Sequence, residues 1–352
     1  MKAQRIAVAA IGACFMWAAS AANRDASAAD ISGAGATFPY PIYAKWADAY
    51  KKLTGVGLNY QSIGSGGGIK QIKAKTVTFG ASDMPLKPED LKSAGLLQFP
   101  MIIGGVVPVV NVKGLAPGQL HLDGATVAAI YMGEIAKWDD ARIKKLNPGL
   151  ALPPTAIAPV YRSDGSGTNF LFSDYLSKES PTFASSIGAN TAVQWPKGIG
   201  AKGNEGVANM TTQTDGAIGY VEYAYAKQNK MTYATLTNKS GGVVAPSAET
   251  FQAAAASADW AKADSYYLIL TDQPGAKSWP ITGASFILMY KNPPDPAAVK
   301  EALKFFAWAY KDGGQMAAEL DYVPLPASLI AQVKRTWATQ IESGGHPVWT
   351  GP

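Results

Sequence analysis

The chain has 352 residues, of which 47% are hydrophobic and 16% charged, with a formal net charge of +5 and a single cysteine. That length can bury two sizeable cores, and one cysteine excludes a disulfide framework. The small positive excess contains no Lys/Arg run, which excludes the basic signature of a nucleic-acid binder.

Lys2 and Arg5 precede an apolar run from Ile6 to Ala19, and small residues follow through Ala29. The pattern predicts a secretory signal peptide over residues 1–28, too short and wrongly flanked for a membrane span. Cleavage is expected after Ala26-Ser27-Ala28, with Ala19-Ser20-Ala21 as the alternative site. Ile11-Gly12-Ala13-Cys14 outlines a lipoprotein box, but the apolar run continues through Phe15-Met16-Trp17, so no lipid anchor is expected. Cleavage after Ala28 leaves a chain without cysteine and with a formal charge of +3, a mild aid to meeting anions.

A short strand starting at Ile31 leads into Gly33-Ala34-Gly35-Ala36-Thr37-Phe38-Pro39. A helix follows with Tyr43, Trp46, Ala47, Tyr50 and Leu53 on one face, and Pro39 suits its first turn. A second strand, Leu58 to Ile63, runs into Gly64-Ser65-Gly66-Gly67-Gly68 and a short helix carrying Ile69 and Ile72. The next strand ends in Phe79-Gly80-Ala81-Ser82-Asp83-Met84-Pro85, an aspartate before a proline-marked turn. Leu96 to Val110 is the longest apolar stretch of the remainder, but glycines and prolines interrupt it, so it reads as a buried strand approaching a hinge. A helix over residues 125–132 and a strand over 157–161 lead to Arg162-Ser163-Asp164-Gly165-Ser166-Gly167-Thr168 and a helix from Asn169 to Leu176. Lys197 to Asn204 could cradle a phosphate taken in isolation, but it reads as an ordinary flexible loop before a helix. Strands over 217–221 and 284–290 and helices over 251–258, 296–311 and 327–341 complete the chain. Strands alternating with helices indicate an α/β fold with central sheets.

Three junctions thus place Gly, Ser and Thr between a strand and a helix. Such a junction offers free backbone N–H groups and hydroxyls at a helix N-terminus, whose partial positive charge suits an oxyanion. Arg162 adds a planar, permanently charged fork, and Asp164 can hold that fork in place. A carboxylate such as Asp83 facing that site repels a fully ionised ligand and admits one that still has a proton to donate. Phosphate near neutral pH has such a proton and sulfate lacks it, so Asp83 would act as a filter.

An enzyme would need different parts. A serine hydrolase needs a histidine base beside Ser65 or Ser166, and only His121 and His346 exist. His121 is expected as a surface or capping residue before a helix, and His346 in a tail. Neither serine lies in G-x-S-x-G, and no P-loop motif is present. No His/Cys cluster suits zinc, so no metal and no cofactor is expected. Tyr131, Trp138, Trp195, Tyr220, Tyr223 and Tyr225 are expected in core or interdomain packing rather than in a sugar site.

Taken together, GAGATFP (33–39), YAKWADAY (43–50), IGSGGGIKQI (63–72), FGASD (79–83), LQFPMIIGGVVPVVN (97–111), KWDD (137–140), RSDGSGTNF (162–170), GAIGYVEYAYAKQN (216–229) and FFAWAYK (305–311) carry a resemblance to one family. The chain resembles the periplasmic phosphate-binding proteins of bacterial high-affinity phosphate ABC transporters. The resemblance implies a two-domain periplasmic binding protein fold, type II-like, with the ligand in the interdomain cleft. Residues 29–110 and 287–352 would form a discontinuous first domain and residues 111–286 the second, with crossings near Val110-Asn111 and Ser285-Phe286. Ligand positions carry over onto Thr37, Phe38, Ser65, Asp83, Arg162, Ser166, Gly167 and Thr168, Phe38 and Gly167 acting through backbone N–H groups. Asp164 matches the partner of the binding arginine, and Gly66 stands where relatives can have serine. The implied function is capture of inorganic phosphate in the periplasm, without catalysis, by a monomer. Delivery would be to the transmembrane permease subunits of an ABC transporter with a cytoplasmic ATPase. A secreted phosphate-ester hydrolase and a binder of another oxyanion such as sulfate are the alternatives.

Overall fold

A computed structural model describes residues 30–351; the expected signal peptide and Cys14 lie outside them. The architecture is two α/β lobes joined by one long strand, Leu96–Val110. Every residue of that strand is buried, as its near-continuous apolar sequence requires. Its first part, up to Gly105, pairs antiparallel with Thr282–Tyr290. From Val106 to Val110 it pairs antiparallel with Ala217–Glu222 instead. The first lobe continues outward from Thr282–Tyr290 through Phe79–Ser82 to Ile31–Gly35 and Leu58–Ser62, the last three mutually parallel. The second continues from Ala217–Glu222 through Ala158–Arg162 to Ile199–Ala201, all parallel. The whole of Thr282–Tyr290 pairs within the first lobe, with a register shift between Ser285 and Phe286. A small sheet of His121–Leu122, Thr235–Thr237 and Val243–Val244 flanks the second lobe.

Helices cover both sheets, and their caps follow from the sequence. In Tyr40–Thr54, Ile42, Tyr43, Trp46 and Tyr50 face the core, and left-handed Gly55 ends the helix. Leu53, expected on that face, is exposed in the last turn of the helix, one residue before its end at Thr54. Pro39 sits at the N-cap, one step before the first turn, where Pro41 takes the expected role. The long C-terminal helices Pro296–Asp312 and Ala327–Gln340 return to the first lobe, where Phe306 and Trp337 pack edge-on to Phe99. Burial of such large side chains, each contributing about 2–3 kcal/mol, dominates the stability of each lobe. Three indole N–H groups in these cores reach backbone carbonyls: Trp46 to Gly313, Trp138 to Gly216 and Trp279 to Val106.

His121 differs from its expected place. It forms the first strand of the small sheet, half-buried, with its ring nitrogens at 3.2 Å from Thr235 and 3.0 Å from Thr237. Asp123, two residues on, caps the following helix in its stead.

Candidate functional site

The strand ends of both lobes meet across one cleft. From the first lobe come the turn after Ile31–Gly35, the start of helix Ser65–Lys73, and Asp83, one residue beyond the strand Phe79–Ser82. From the second come Arg162, the last residue of its strand, and the start of helix Gly167–Glu179. Ser166 is that helix's N-cap, its Oγ accepting from Asn169 N–H at 3.0 Å, so its hydroxyl proton remains available to a ligand. Gly64 begins the other helix at φ +85°, a conformation that costs a side chain strain and glycine none.

Thr37, Phe38, Ser65, Asp83, Arg162, Ser166, Gly167 and Thr168 are all buried, and they converge. Ser65 Oγ accepts from Asp83 N–H at 3.2 Å on its own lobe and from Gly167 N–H at 3.0 Å on the other. Gly66 N–H donates to Gly165 O at 2.8 Å, again across the cleft. The lobes are therefore closed on one another. Gly167 tolerates no side chain in this state, because a Cβ there would lie 2.5 Å from Asp83 Oδ2 and 2.6 Å from Ser65 Oγ. Among the described residues no acceptor pairs with the N–H of Phe38 or of Thr168.

The charged groups are arranged as a fork and an acceptor. Arg162 Nε and Nη2 donate to the two oxygens of Asp164 at 2.7 and 2.6 Å, while Nη1 is buried without a partner among the described residues. Asp164 also accepts from Gly203 N–H at 3.1 Å. Burial pushes its carboxyl up, but the hydrogen bonds and charge of Arg162 outweigh this and hold it below the ordinary carboxylate range. Asp83 is 1% exposed, and among the described residues neither of its oxygens has a hydrogen-bond partner. Burial raises its pKa to about 7, against the pull of the Ser285 and Ser65 hydroxyls and the Arg162 charge. A buried, unpaired carboxylate beside a buried, half-used guanidinium is costly unless a third group meets both. A tetrahedral oxyanion that carries one proton does so: its oxygens accept from the hydroxyls, N–H groups and guanidinium, and its proton goes to Asp83.

Asn204 joins the site from the segment Lys197 to Asn204, which the sequence alone suggests is a flexible loop. Residues Ile199–Ala201 form an edge strand, and Gly203 opens helix Gly203–Gln213. Fully buried Asn204 donates to Thr37 Oγ1 at 2.7 Å and to Thr168 Oγ1 at 3.2 Å, and accepts from Glu222 N–H at 3.0 Å. It thereby leaves both threonine hydroxyl protons free to point elsewhere. The only hint in the sequence was the run of small residues with glycine before a helix, shared with many ordinary loops. Of the aromatics, Tyr131, Trp138 and Tyr220 are core residues, and Tyr220 hydroxyl receives Arg162 N–H at 3.0 Å. His121 and His346 are hydrogen-bond partners of neither Ser65 nor Ser166.

Comparison with known proteins matches residues 20–312 to the family model described as a PBP superfamily domain. A phosphate-binding protein PstS of Pasteurella multocida is 54% identical over 320 residues, covering 91% of this chain and 93% of its own. Another, from Xylella fastidiosa, is 54% identical over 312 residues, covering 89% and 86%. Among solved structures, a phosphate-binding protein from Stenotrophomonas maltophilia superposes with a TM-score of 0.69 at 21% identity, covering 90% of this chain and 97% of its own. At that identity it supports the two-lobed periplasmic binding protein fold alone.

Proposed function

The chain belongs to the PstS phosphate-binding protein family within the PBP superfamily, and from that footing we propose that it captures inorganic phosphate between its two lobes. Thr37, Ser65, Ser166 and Thr168 donate through hydroxyls, Phe38 through its backbone N–H, Gly167 through an N–H that exchanges Ser65 Oγ for the ligand, and Arg162 through its free edge, with Asp164 holding the guanidinium. Asp83 accepts the phosphate proton. The observation that carries this reading is the pairing of two unpartnered Asp83 oxygens with an unpartnered Arg162 Nη1, all buried in one closed cleft. A ligand that only accepts hydrogen bonds satisfies the arginine and not the aspartate.

The strand pairings support lobes that divide at Gly105–Val106 and just before Thr282, upstream of the crossings expected from sequence. Two crossings allow hinge closure around the ligand. We further place the protein in the periplasm after export, as a monomer that hands phosphate to the transmembrane permease of an ABC transporter. The geometry disfavours hydrolysis, since Ser65 Oγ accepts from two N–H groups and no histidine lies beside it.

Calorimetry of the purified protein with phosphate, with sulfate as competitor, alongside a phosphomonoesterase assay tests the reading. Saturable phosphate binding, little affected by sulfate and without turnover, is expected. Equal binding of both anions, or turnover that Ser65→Ala or Ser166→Ala abolishes, would overturn it.

A further inference from the structure

The turn at Thr37–Phe38 is gripped by two tyrosine hydroxyls far away in the chain. Tyr225 Oη donates to Thr37 O at 2.7 Å, and Tyr322 Oη donates to Phe38 O at 2.6 Å. These are the two successive carbonyls on either side of the Phe38 Cα. The Thr37 carbonyl and the Phe38 N–H share one peptide plane, and the chain contains no cis peptide among its described residues. In a trans peptide the C=O and N–H point in opposite directions. A donor on Thr37 O therefore fixes the direction of the Phe38 N–H, which has no acceptor among the described residues. A hydrogen bond on the carbonyl also polarises the peptide and strengthens the N–H as a donor.

The two tyrosines come from different places. Tyr322, buried, lies on the C-terminal return to the first lobe and also stands 2.8 Å from Glu222 Oε2. Tyr225 belongs to helix Tyr223–Gln228 of the second lobe, so its bond to Thr37 O exists only when the lobes are closed. Its second neighbour, Glu205 Oε1 at 3.0 Å, is on its own lobe. One phenol proton cannot serve both acceptors at once. Closure thus offers Tyr225 the carbonyl, and opening returns it to Glu205. Burial, with Glu205 alongside, holds the Tyr225 phenol well above its ordinary pKa, so it stays a donor.

Building on the phosphate reading, we propose that Tyr225 is a positioning residue that aims the Phe38 N–H at the ligand on lobe closure, with Tyr322 bracing the next peptide. The contribution arises after encounter, so it should appear in release and not in association. Tyr225→Phe should bind phosphate about tenfold more weakly. Release measured by stopped flow should be faster by the same factor, with association unchanged within about twofold. In the phosphate-loaded protein the Phe38 amide proton should resonate upfield of its wild-type position, reporting a weaker hydrogen bond. The control is Tyr310→Phe, which removes a hydroxyl–carbonyl bond of the same kind to Pro100 O at 2.5 Å, inside the first lobe. It should leave release and the Phe38 resonance as in wild type. Wild-type release in Tyr225→Phe, or equal effects of Tyr225→Phe and Tyr310→Phe, overturns the positioning role while phosphate capture stands. A wild-type protein that binds no phosphate overturns both.

Discussion

Asp83→Asn separates selectivity from affinity more cleanly than any other change in the cleft. The wild-type carboxylate is 1% exposed and has two oxygens without partners. Sulfate bound there would set acceptors against acceptors. An unsatisfied buried acceptor costs about 1–3 kcal/mol and more when charged, so two of them against an anion amount to about 4–6 kcal/mol. That corresponds to as much as roughly three to four decades of discrimination in favour of phosphate while Asp83 is ionised; with its pKa raised to about 7, the discrimination should shrink as pH falls to that value and below, where the protonated acid can donate to sulfate. Asparagine keeps one acceptor for the phosphate proton and adds an N–H donor for a sulfate oxygen. Phosphate affinity should change by no more than about tenfold, whereas the phosphate-to-sulfate ratio should fall by at least about a hundredfold, or about 2.7 kcal/mol. Asp83→Ala should weaken phosphate more than asparagine does, because the ligand proton then has no partner. The assay is calorimetry of all three proteins with both anions at one ionic strength and at one pH well above 7, where Asp83 is ionised. A ratio that is the same in the three proteins would refute the reasoning and leave Asp83 a turn residue.

Other outcomes follow from the same geometry. Arg162→Ala should weaken phosphate binding by about two to three decades, and Arg162→Lys should recover only part, because an ammonium cannot hold Asp164 and ligand in one plane; calorimetry within about twofold of wild type would remove Arg162 from the site. Gly167→Ala places a methyl against Asp83 and Ser65 only when the lobes close; its melting temperature should stay near wild type while small-angle scattering loses the phosphate-induced contraction expected of wild type. Asn204→Ala should cost about tenfold or more in affinity, because Thr37 and Thr168 lose a shared donor and the Glu222 N–H is left unpaired; an unchanged affinity would make it a packing residue. The closed form should also depend on pH through Asp83, whose pKa rises from 3.8 to about 7 chiefly by burial. A raised carboxyl pKa means the closed fold holds the proton more tightly than the unfolded chain. Its stabilisation is then full below about pH 4 and lost as pH rises towards 7, to a ceiling of about 4 kcal/mol. Melting curves of wild type and Asp83→Asn should diverge across that window, and parallel curves would show that Asp83 does not titrate there.

Local chemistry was readable along the chain. Ser166 caps its helix because a short hydroxyl side chain reaches the N–H three residues on, and Arg162 pairs with Asp164 because a two-residue gap at a strand end lets the fork and carboxylate meet. The α/β alternation, the apolar stripe of Tyr43, Trp46 and Tyr50, and the buried run Leu96–Val110 are likewise matters of spacing and apolar patterning, which neighbouring residues set among themselves. What the sequence could not supply was which distant groups meet. Asn204 reaches Thr37 across 167 positions and Tyr225 reaches it across 188, and neither residue type in its local pattern points to a cleft. Gly105 and Val106 look alike in an apolar run, yet the strand changes lobes between them, because pairing is decided by the partner strands and not by the residues themselves. His121 took a strand for the same reason, since Thr235 and Thr237 were there to pair with it. Asp83 sits between the two cases: its place after a strand is local, but the burial that raises its pKa belongs to the assembled cleft.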